Sequence, residues 1–396
     1  MEIEIGRGKK ARRAYGFDDV AIVPSRRTRD PEDVDISWTL GPYRFELPLL
    51  GAALDGVVSP ETAGIIGRLG GLAVLNLEGI FCRYEDVDAQ LERIASLDRD
   101  EATREMQEIY RVPVKPELIA QRIRETKEQG VVVAASLTPQ RVREHYEVAL
   151  EAGLDILVIQ GTVVSAEHVS TVAEPLNLKE FIREVPVPVV VGGCASYHTG
   201  LHLMRTGAAG VLVGVGPGAI CTTRGVLGIG VPQATAIADV AAARSQHMLE
   251  TGDYVRVIAD GGLKNGGDIA KAIACGADAV MLGSALARAY EAPGRGYNWG
   301  MATFHPTLPR GTRVKTVQNA SLEEILLGPA RENDGMFNLM GALKTSMATC
   351  GYRDIAEFNR AELMVAPALQ TEGKHLQRDQ QVGMGSNGRA VALVND

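Results

Sequence analysis

The chain has 396 residues, which is long for one ordinary domain but suits a single α/β barrel with additional segments. Hydrophobic residues make up 45% and charged residues 23% of it, as is typical of a soluble globular protein. The net charge is −8, with both signs mixed along the chain, which argues against nucleic-acid binding through a basic face. A phosphate-bearing ligand would therefore be held mainly by backbone N–H groups and helix N-termini.

The cysteines and the first residues indicate the cellular compartment in which the protein is expected. The five cysteines are Cys82, Cys194, Cys221, Cys275 and Cys350. They form no CxxC pair and their number is odd, which disfavours a zinc site or a disulfide framework and favours a reducing cytoplasm. The first residues are charged, so we expect no signal peptide, and no apolar run approaches a membrane span in length.

Short apolar runs that end in glycine or small polar residues recur eight times, with helical patterns between them. The predicted strands are Leu47–Ala53, Leu72–Leu77, Val131–Ala135, Ile156–Gln160, Val189–Gly192, Gly210–Val213, Val257–Ala259 and Ala279–Leu282. Eightfold strand–helix alternation predicts an α/β fold of the (β/α)8 TIM-barrel type.

Helical patterns occupy the intervals between these strands. The predicted helices are Pro60–Gly70, Tyr84–Ala95, Val114–Glu128, Pro139–Ala152, Tyr197–Thr206, Pro232–Glu250 and Asp268–Cys275. The interval between the second and third strands holds two of these helices and has no room for a pair of further folded domains. We therefore expect one catalytic barrel domain over residues 1–396, with the barrel strands within about 47–284.

The region after the last strand is predicted to carry a flap and a tail. A stretch rich in Gly and Pro begins the flap, which we place at about 293–320, and such a stretch beside a barrel mouth is typical of a lid. A helix is predicted over Asp334–Ala348, within a C-terminal region of 334–396. The polar tail from Gln370 is either disordered or wraps around a neighbouring subunit.

A cysteine stands at the tip of a glycine-rich loop after the sixth strand. The loop reads GVGPGAICTTR over Gly214–Arg224, and its glycines bring peptide groups close to a ligand or an ion. A thiol on such a loop at a strand end is typical of a nucleophile, so we interpret Cys221 as catalytic rather than as a buried structural cysteine.

The carboxyl ends of the strands, where barrel enzymes hold their chemistry, carry a predicted phosphate cradle. The seventh strand ends in Asp260-Gly261-Gly262 and the eighth in Gly283-Ser284. The glycines expose N–H groups, and each loop is expected to lead into a helix whose positive end faces the site. Asp260 can accept hydrogen bonds from ribose hydroxyls.

These stretches resemble the IMP dehydrogenase/GMP reductase family. The resemblance covers most of residues 10–365, and the cysteine loop is its most specific motif. Further matching stretches are Gly16–Pro24, Leu49–Val57, Gly230–Ala238, Val257–Gly262, Gly267–Ala274, Ala277–Ser284, Gly300-Met301 and Met340–Gly351.

The resemblance implies a reaction at C2 of a purine nucleotide 5′-monophosphate, through a thioimidate on Cys221. A nicotinamide cofactor, NADPH or NAD, exchanges a hydride at that carbon, and Thr223 handles water or ammonia. The implied nucleotide-binding residues are Leu54, Gly218, Asp260, Gly261, Gly262, Gly283, Ser284, Gly300 and Met301. The carbonyls of Gly216, Gly218 and Cys221 imply a K⁺ site, which suits hard oxygen ligands. Gln160 and Thr162 fall at the cofactor positions, and the family assembles as tetramers.

The chain departs from the family at the second half-reaction. The only Arg-Tyr pair is Arg83-Tyr84, beside the second strand instead of in the flap, and Arg310-Gly311 replaces the Glu-Gly pair of GMP reductases. The family's two regulatory CBS domains have no room after the second strand. We therefore favour reduction of GMP to IMP over oxidation of IMP, with Glu78 as the catalytic carboxylate. A catalytically silent purine-nucleotide sensor and a flavin-binding barrel are the rival interpretations.

The remaining histidines and cysteines receive simpler interpretations. His168 and His198 are interpreted as surface hydrogen-bonding residues, whereas His305 lies in the predicted flap and is a second candidate acid or base. Cys82, Cys194 and Cys275 are expected to pack as small apolar groups. The expected partners are small molecules and copies of this chain, without a membrane or nucleic acid.

Overall fold

A computed structural model describes residues 2–171, 175–366 and 372–383. In chain order its strands are β1 (Glu2–Gly6), β2 (Lys9–Arg12), β3 (Val20–Ile22), β4 (Trp38–Leu40), β5 (Tyr43–Phe45), β6 (Leu49–Gly51), β7 (Leu72–Asn76), β8 (Ala134–Leu137), β9 (Ile156–Gln160), β10 (Val189–Cys194), β11 (Gly210–Val213), β12 (Arg256–Asp260), β13 (Ala279–Leu282), β14 (Tyr297–Asn298), β15 (Val314–Lys315) and β16 (Leu363–Val365). The strands β6 to β13 are all parallel and form a closed barrel, because β13 pairs with β6. The predicted TIM barrel is confirmed.

The helices of the described residues surround this barrel. They are α1 (Pro60–Arg68), α2 (Val87–Ser96), α3 (Ala102–Ile109), α4 (Pro116–Lys127), α5 (Val142–Glu151), α6 (Leu178–Glu184), α7 (Tyr197–Met204), α8 (Thr223–Leu227), α9 (Gln233–Thr251), α10 (Gly266–Ala274), α11 (Leu322–Leu326), α12 (Leu339–Thr349), α13 (Ile355–Phe358) and α14 (His375–Asp379). None of them combines the length and the apolar composition that a membrane span requires.

The third barrel strand begins three residues later than predicted. The apolar run starts at Val131, but the ladder with β7 starts at Ala134, which pairs with Val74. The backbone N–H of Val133 instead donates to the Asp155 carboxylate over 2.8 Å. The shift moves the end of the strand to Leu137 and places Thr138 at the barrel mouth, so α5 begins at Val142 and not at Pro139.

The segment between β7 and α4 forms a second small core with the flap. Helix α3, which the sequence analysis did not predict, packs beside α2, and β14 and β15 form a short hairpin in the flap. The buried members of this satellite core are Ile80, Leu91, Ile94, Met106, Ile109, Tyr110 and Trp299. The barrel's own large core is a separate cluster, so the flap rests on the segment around α2 and α3 as well as on the barrel.

The C-terminal region differs from its prediction at the helix start. Helix α12 begins at Leu339, five residues after the predicted start, because Asn338 adopts φ +50° and its side chain accepts from Gly341 N. Residues 372–383 of the predicted tail include α14. The remainder of the tail, 370–371 and 384–396, lies outside the described residues.

Candidate active site

The carboxyl ends of the barrel strands surround a cavity of about 1020 Å³. Every residue predicted for the site lines this one cavity. These residues are Leu54, Glu78, Gln160, Thr162, Gly216, Gly218, Cys221, Thr223, Asp260, Gly261, Gly262, Gly283, Ser284, Gly300 and Met301. A volume of this size fits the general range for small-molecule and cofactor sites.

The cysteine is held beside a hydroxyl. Cys221 is half-buried, and its thiol donates to Thr223 Oγ1 over 3.1 Å. Thr223 is the first residue of α8 and is buried. A turn in which Cys221 N donates to Gly218 O over 3.0 Å sets the direction of the loop tip. The predicted nucleophile and the hydroxyl predicted to handle the proton are thus in contact with each other.

The cysteine loop packs directly on the predicted phosphate cradle. Gly262 adopts φ +79°, and a Cβ built on it would lie 3.1 Å from Pro217 Cβ. The neighbouring Gly261, at φ +83°, is equally close to Pro217 and to Gly218 N. Only glycine suits both the backbone angle and the approach. We call residues 214–223 and 260–262 together the nucleophile wall.

A glutamine that the sequence analysis missed holds this wall together. The side-chain amide of Gln233 donates to Val213 O over 2.8 Å and to Asp260 O over 3.0 Å, and so ties the ends of β11 and β12. Gln233 is buried at the start of α9. The sequence gives no signal for this contact, because a glutamine at the start of a helix is usually expected to lie at the surface.

The acidic end of β12 has an unexpected partner. Gln160 Nε2 donates to Asp260 Oδ2 over 3.2 Å, so the residue predicted to bind cofactor contacts the predicted ribose acceptor. Burial raises the pKa of Asp260 to about 6, and the hydrogen bond from Gln160 opposes that shift. The two residues thus form one polar unit on the cavity floor.

The cradle on the β13 side differs from the expectation. Gly283 and Ser284 lead into a single 3-10 turn, Leu286–Arg288, and not into an α-helix. Asn298 Nδ2 donates to Ser284 Oγ over 3.3 Å, which attaches this loop to the flap. After β12, the helix α10 begins at Gly266 with Asn265 as its N-cap. A full helix end therefore follows only one of the two loops.

Glu78 lines the cavity from the end of β7. Its Oε1 accepts from Thr138 N over 2.5 Å, and its own N–H donates to Asn76 Oδ1 over 3.1 Å. Arg83 also lines the cavity, and its Nε donates to Glu78 O over 3.0 Å. The carboxylate therefore holds the loop before α5, and its half-buried side chain still faces the site.

The flap also lines the cavity and lies against the cysteine loop, and we call residues 299–311 the flap wall. Cys221 and Gly311 form a β-bridge, and Thr222 N donates to Arg310 O over 3.1 Å. Arg310 thus lies next to the thiol at the position where the sequence analysis noted a replaced glutamate. The proximity of two segments ninety residues apart has no signature in the sequence.

The three histidines occupy different surroundings. His305 lines the cavity, but its Nδ1 accepts from Leu308 N over 2.9 Å and so maintains the flap turn. His168 and His198 do not line the cavity, and the ring of His198 contacts Tyr197 edge-on. His305 therefore keeps only Nε2 for contact with a ligand.

A hydrogen-bond chain runs from the flap wall to the loop that carries Glu78. Trp299 Nε1 donates to Tyr110 Oη over 2.6 Å, and Tyr110 Oη donates to Asp55 Oδ2 over 2.5 Å. Asp55 also accepts from Ile80 N over 2.9 Å and from Asn76 Nδ2 over 3.3 Å. Burial raises the pKa of Asp55, whereas these donors lower it.

Comparison with known proteins assigns the chain to a family. The family model described as the IMP dehydrogenase / GMP reductase domain matches residues 14–312, which is more than half of the chain. The chain belongs to the IMP dehydrogenase/GMP reductase family. Members of this family are oxidoreductases that act on purine nucleotides with a nicotinamide cofactor, and this chain is an oxidoreductase of that kind.

Individual relatives match over nearly the whole chain. Uncharacterized oxidoreductases of Mycolicibacterium smegmatis and Mycobacterium tuberculosis are each 48% identical to it, over 92% of this chain and 99% of theirs. An inosine-5′-monophosphate dehydrogenase of Methanocaldococcus jannaschii is 27% identical, over 92% of this chain and 95% of its own. The crystal structure of an IMP dehydrogenase/GMP reductase-like protein from Corynebacterium glutamicum is 47% identical, with a TM-score of 0.88 over 92% of this chain and 98% of that one.

Proposed function

We propose that the protein reduces GMP to IMP with NADPH and releases ammonia. The observation that carries this proposal is the shared cavity of the Cys221–Thr223 pair, the glycine cradle and the Glu78 carboxylate. The flap residues 299–320 contain no Arg-Tyr pair. Tyr84 of the one Arg-Tyr pair donates its hydroxyl to Ile109 O, so this residue serves the satellite core.

The proposed reaction begins with attack of the Cys221 thiolate on C2 of GMP. The Sγ–C2 bond forms, the C2–amine bond breaks, and the amine leaves as ammonia with a proton passed by Thr223. Glu78 supplies that proton in turn, as a general acid facing the same cavity. When bound, the cofactor supplies the hydride that C2 receives. The Sγ–C2 bond then breaks and returns the thiolate, so GMP, NADPH and two protons yield IMP, NADP⁺ and ammonium.

The cavity has room and suitable surfaces for a nicotinamide beside the nucleotide. It extends from the cradle past Cys221 to Thr162, Val163 and Leu227. Val163 is 53% exposed and Leu227 is 37% exposed, so apolar side chains are accessible to solvent at this end of the cavity. A flat ring would cover them. We therefore keep both Gln160 and Thr162 at the cofactor.

A monovalent cation at the cysteine loop remains part of the proposal. The carbonyls of Gly216, Gly218 and Cys221 are hard ligands on one turn, and Gly218 O keeps a lone pair besides the one that Cys221 N occupies. Dialysis against buffer free of K⁺ and Na⁺, followed by titration of each ion, tests it. We expect K⁺ to restore more activity than Na⁺; equal rates in all three buffers contradict the cation site.

Family membership supports a proposal about the cellular setting and the assembly. We propose a cytoplasmic homotetramer in which each chain is one catalytic domain. Sedimentation or light scattering of the full chain tests the tetramer, and a monomer that retains full activity contradicts it.

One assay separates the leading function from its rivals. Purified protein is given GMP with NADPH and, separately, IMP with NAD, and the absorbance of the reduced cofactor is followed. Loss of absorbance in the first mixture with release of ammonia supports the reductase. A gain of absorbance in the second mixture, with no change in the first, indicates an IMP dehydrogenase. This is the activity named for the relative from Methanocaldococcus jannaschii. Nucleotide binding without turnover in either mixture assigns a silent sensor, and yellow protein indicates a flavin.

A further inference from the structure

One buried carboxylate holds the turn that carries Glu78. Asp55 Oδ2 accepts from Ile80 N over 2.9 Å, and Asp55 Oδ1 accepts from Asn76 Nδ2 over 3.3 Å. Between these two contacts Gly79 lies directly against the carboxylate, so a Cβ built on Gly79 would collide with both carboxylate oxygens. Gly79 N donates to Asn76 O over 3.2 Å and closes the turn. Asp55 therefore holds the main chain on both sides of Glu78.

Asp55 also sets which way the side-chain amide of Asn76 faces. Only the NH₂ group of an amide can donate to a carboxylate, so the amide oxygen of Asn76 faces away from Asp55. That oxygen accepts from Glu78 N over 3.1 Å. Without an acceptor at position 55, the amide is free to rotate and to present its NH₂ group to Glu78 N, which is also a donor. The contact between Asp55 and Asn76 thus secures the hydrogen bond to the main chain of Glu78.

The same carboxylate is connected to the flap by hydrogen bonds whose direction is fixed. An indole N–H group can only donate, so Trp299 donates to Tyr110 Oη and the phenol proton goes to Asp55. Trp299 begins the flap wall and is 1% exposed, and the ring of Tyr110 stacks on Phe304, which lines the cavity. Asp55, Tyr110 and Trp299 do not themselves line the cavity. They act on it only through the residues that they hold.

We propose that Asp55 is a positioning residue for Glu78, and that Tyr110 and Trp299 let the flap control where Glu78 lies. This inference rests on the proposed function for the role of Glu78 as general acid, whereas the contacts do not depend on the reaction. Hydrogen bonds in a chain polarise one another. A flap that withdraws Trp299 therefore weakens the bond from Tyr110 to Asp55 and loosens the turn at Glu78.

The variant Asp55→Asn tests the positioning role through kinetics. The new amide has one oxygen and cannot accept from both ends of the turn. We expect turnover of saturating GMP and NADPH to fall by about tenfold or more, as for the loss of one or two buried hydrogen bonds. Calorimetric GMP affinity should change by less than about twofold, because the cradle is untouched.

The variant Glu78→Gln shows whether Asp55 acts through Glu78. Residues that act through one group are not additive, so Asp55→Asn in the Glu78→Gln background should lower turnover by less than about twofold further. A merely structural role of Asp55 lowers turnover equally in both backgrounds. That result, or a loss of GMP affinity large enough to explain the loss of turnover, overturns the proposal.

The variant Trp299→Phe tests the link to the flap and leaves the buried carboxylate in place. Trp38→Phe is the matched control, because the buried Trp38 belongs to the barrel core and donates its indole N–H to Leu47 O over 2.9 Å. The backbone amides of residues 78–80 are all donors in the turn. Hydrogen exchange with mass spectrometry should show faster exchange at 78–80 in Trp299→Phe, by about fivefold, and no change in Trp38→Phe.

The exchange measurement needs no substrate, so it separates this inference from the proposed function. Unchanged exchange at 78–80 in Trp299→Phe, or an equal rise in both tryptophan variants, overturns the link between the flap and the turn. If Asp55→Asn does not fold, Trp299→Phe must show the kinetic pattern instead: turnover lower by about fivefold, and no further loss in the Glu78→Gln background. Absence of GMP turnover in the wild type overturns the proposed function and the role of Glu78, and exchange then decides the structural link alone.

Discussion

The nucleophile wall and the flap wall line the same cavity, but different contacts hold them in place. The nucleophile wall consists of glycine loops at barrel-strand ends, where Pro217 packs on Gly262 and Gln233 bonds to main-chain oxygens. The flap wall rests on side chains: the ring of Tyr110 stacks on Phe304 with centroids 3.5 Å apart, and Trp299 bonds to the Tyr110 hydroxyl. One wall is fixed by backbone geometry and the other by the satellite core.

This difference matches the chemistry assigned to each wall. The proposed thiol attack and most of the proposed phosphate cradle belong to the nucleophile wall. The departures of this chain, Arg310-Gly311 and the missing Arg-Tyr pair, belong to the flap wall. A wall built from side chains can change its chemistry by substitution without disturbing the barrel. The residues proposed to move the proton, Thr223 and Glu78, lie outside the flap wall.

The largest expected effect is removal of the nucleophile. Cys221→Ala should reduce turnover of GMP by at least about 10³-fold, because no covalent intermediate can form. Nucleotide binding should persist, since the cradle and Asp260 are intact. Steady-state rates together with calorimetric affinity check both statements. Turnover within tenfold of the wild type, a barrier change of only about 1.4 kcal/mol, contradicts the covalent mechanism.

The next effect tests the carboxylate that follows β7. Glu78→Gln should slow release of ammonia from GMP by on the order of 10²-fold, the usual size of a lost acid–base contribution. Glutamine keeps an oxygen for Thr138 N, so the loop before α5 should stay in place and GMP affinity should change little. The measurement is the rate of cofactor oxidation with saturating GMP. An unchanged rate assigns the proton transfer to another group, with His305 the next candidate.

A third change tests whether backbone geometry defines the cradle. Gly262→Ala introduces a Cβ beside Pro217 at φ +79° and should weaken GMP binding by about tenfold or more. Gly252→Ala is the matched control, because Gly252 has φ +82° but nothing within 4 Å. Both variants should lose similar thermal stability, and only Gly262→Ala should lose affinity. Equal affinities would falsify the backbone account of this wall.

The smallest effect concerns the flap wall. Tyr110→Phe removes a donor to the buried Asp55 and should lower the free energy of unfolding by about 1–3 kcal/mol. The pKa of Asp55 is raised in the folded protein, so its contribution to stability falls as pH rises above the ordinary carboxyl value of 3.8. Loss of the donor raises that pKa further, and the variant should therefore be more impaired at neutral than at acidic pH.

Denaturant unfolding at both pH values checks this prediction. Tyr146→Phe is the control, because its hydroxyl bonds to Glu147 at the surface, and its effect should be small at either pH. A Tyr110→Phe deficit that is larger in acid contradicts the assignment to Asp55.

The sequence was sufficient for the barrel and for the position of the site residues on one rim. Each barrel strand is a continuous apolar run that ends in glycine or a polar residue, and parallel strands bring those ends together. The flap wall could not be predicted in the same way. Tyr110 and Trp299 are separated by 189 positions, and from the sequence each would be expected only to pack in a core. Helix α3 was missed although its buried positions, Ala102, Met106 and Ile109, follow helical spacing.

The five cysteines make the protein suitable for single-site chemical labelling. Cys82, Cys194, Cys275 and Cys350 are buried and free, and burial raises the pKa of each of these thiols. Cys221 alone among the five is partly exposed. Mass spectrometry of the native chain after brief treatment with an alkylating reagent should therefore show one adduct. A fluorophore attached there would report directly on the occupancy of the cavity.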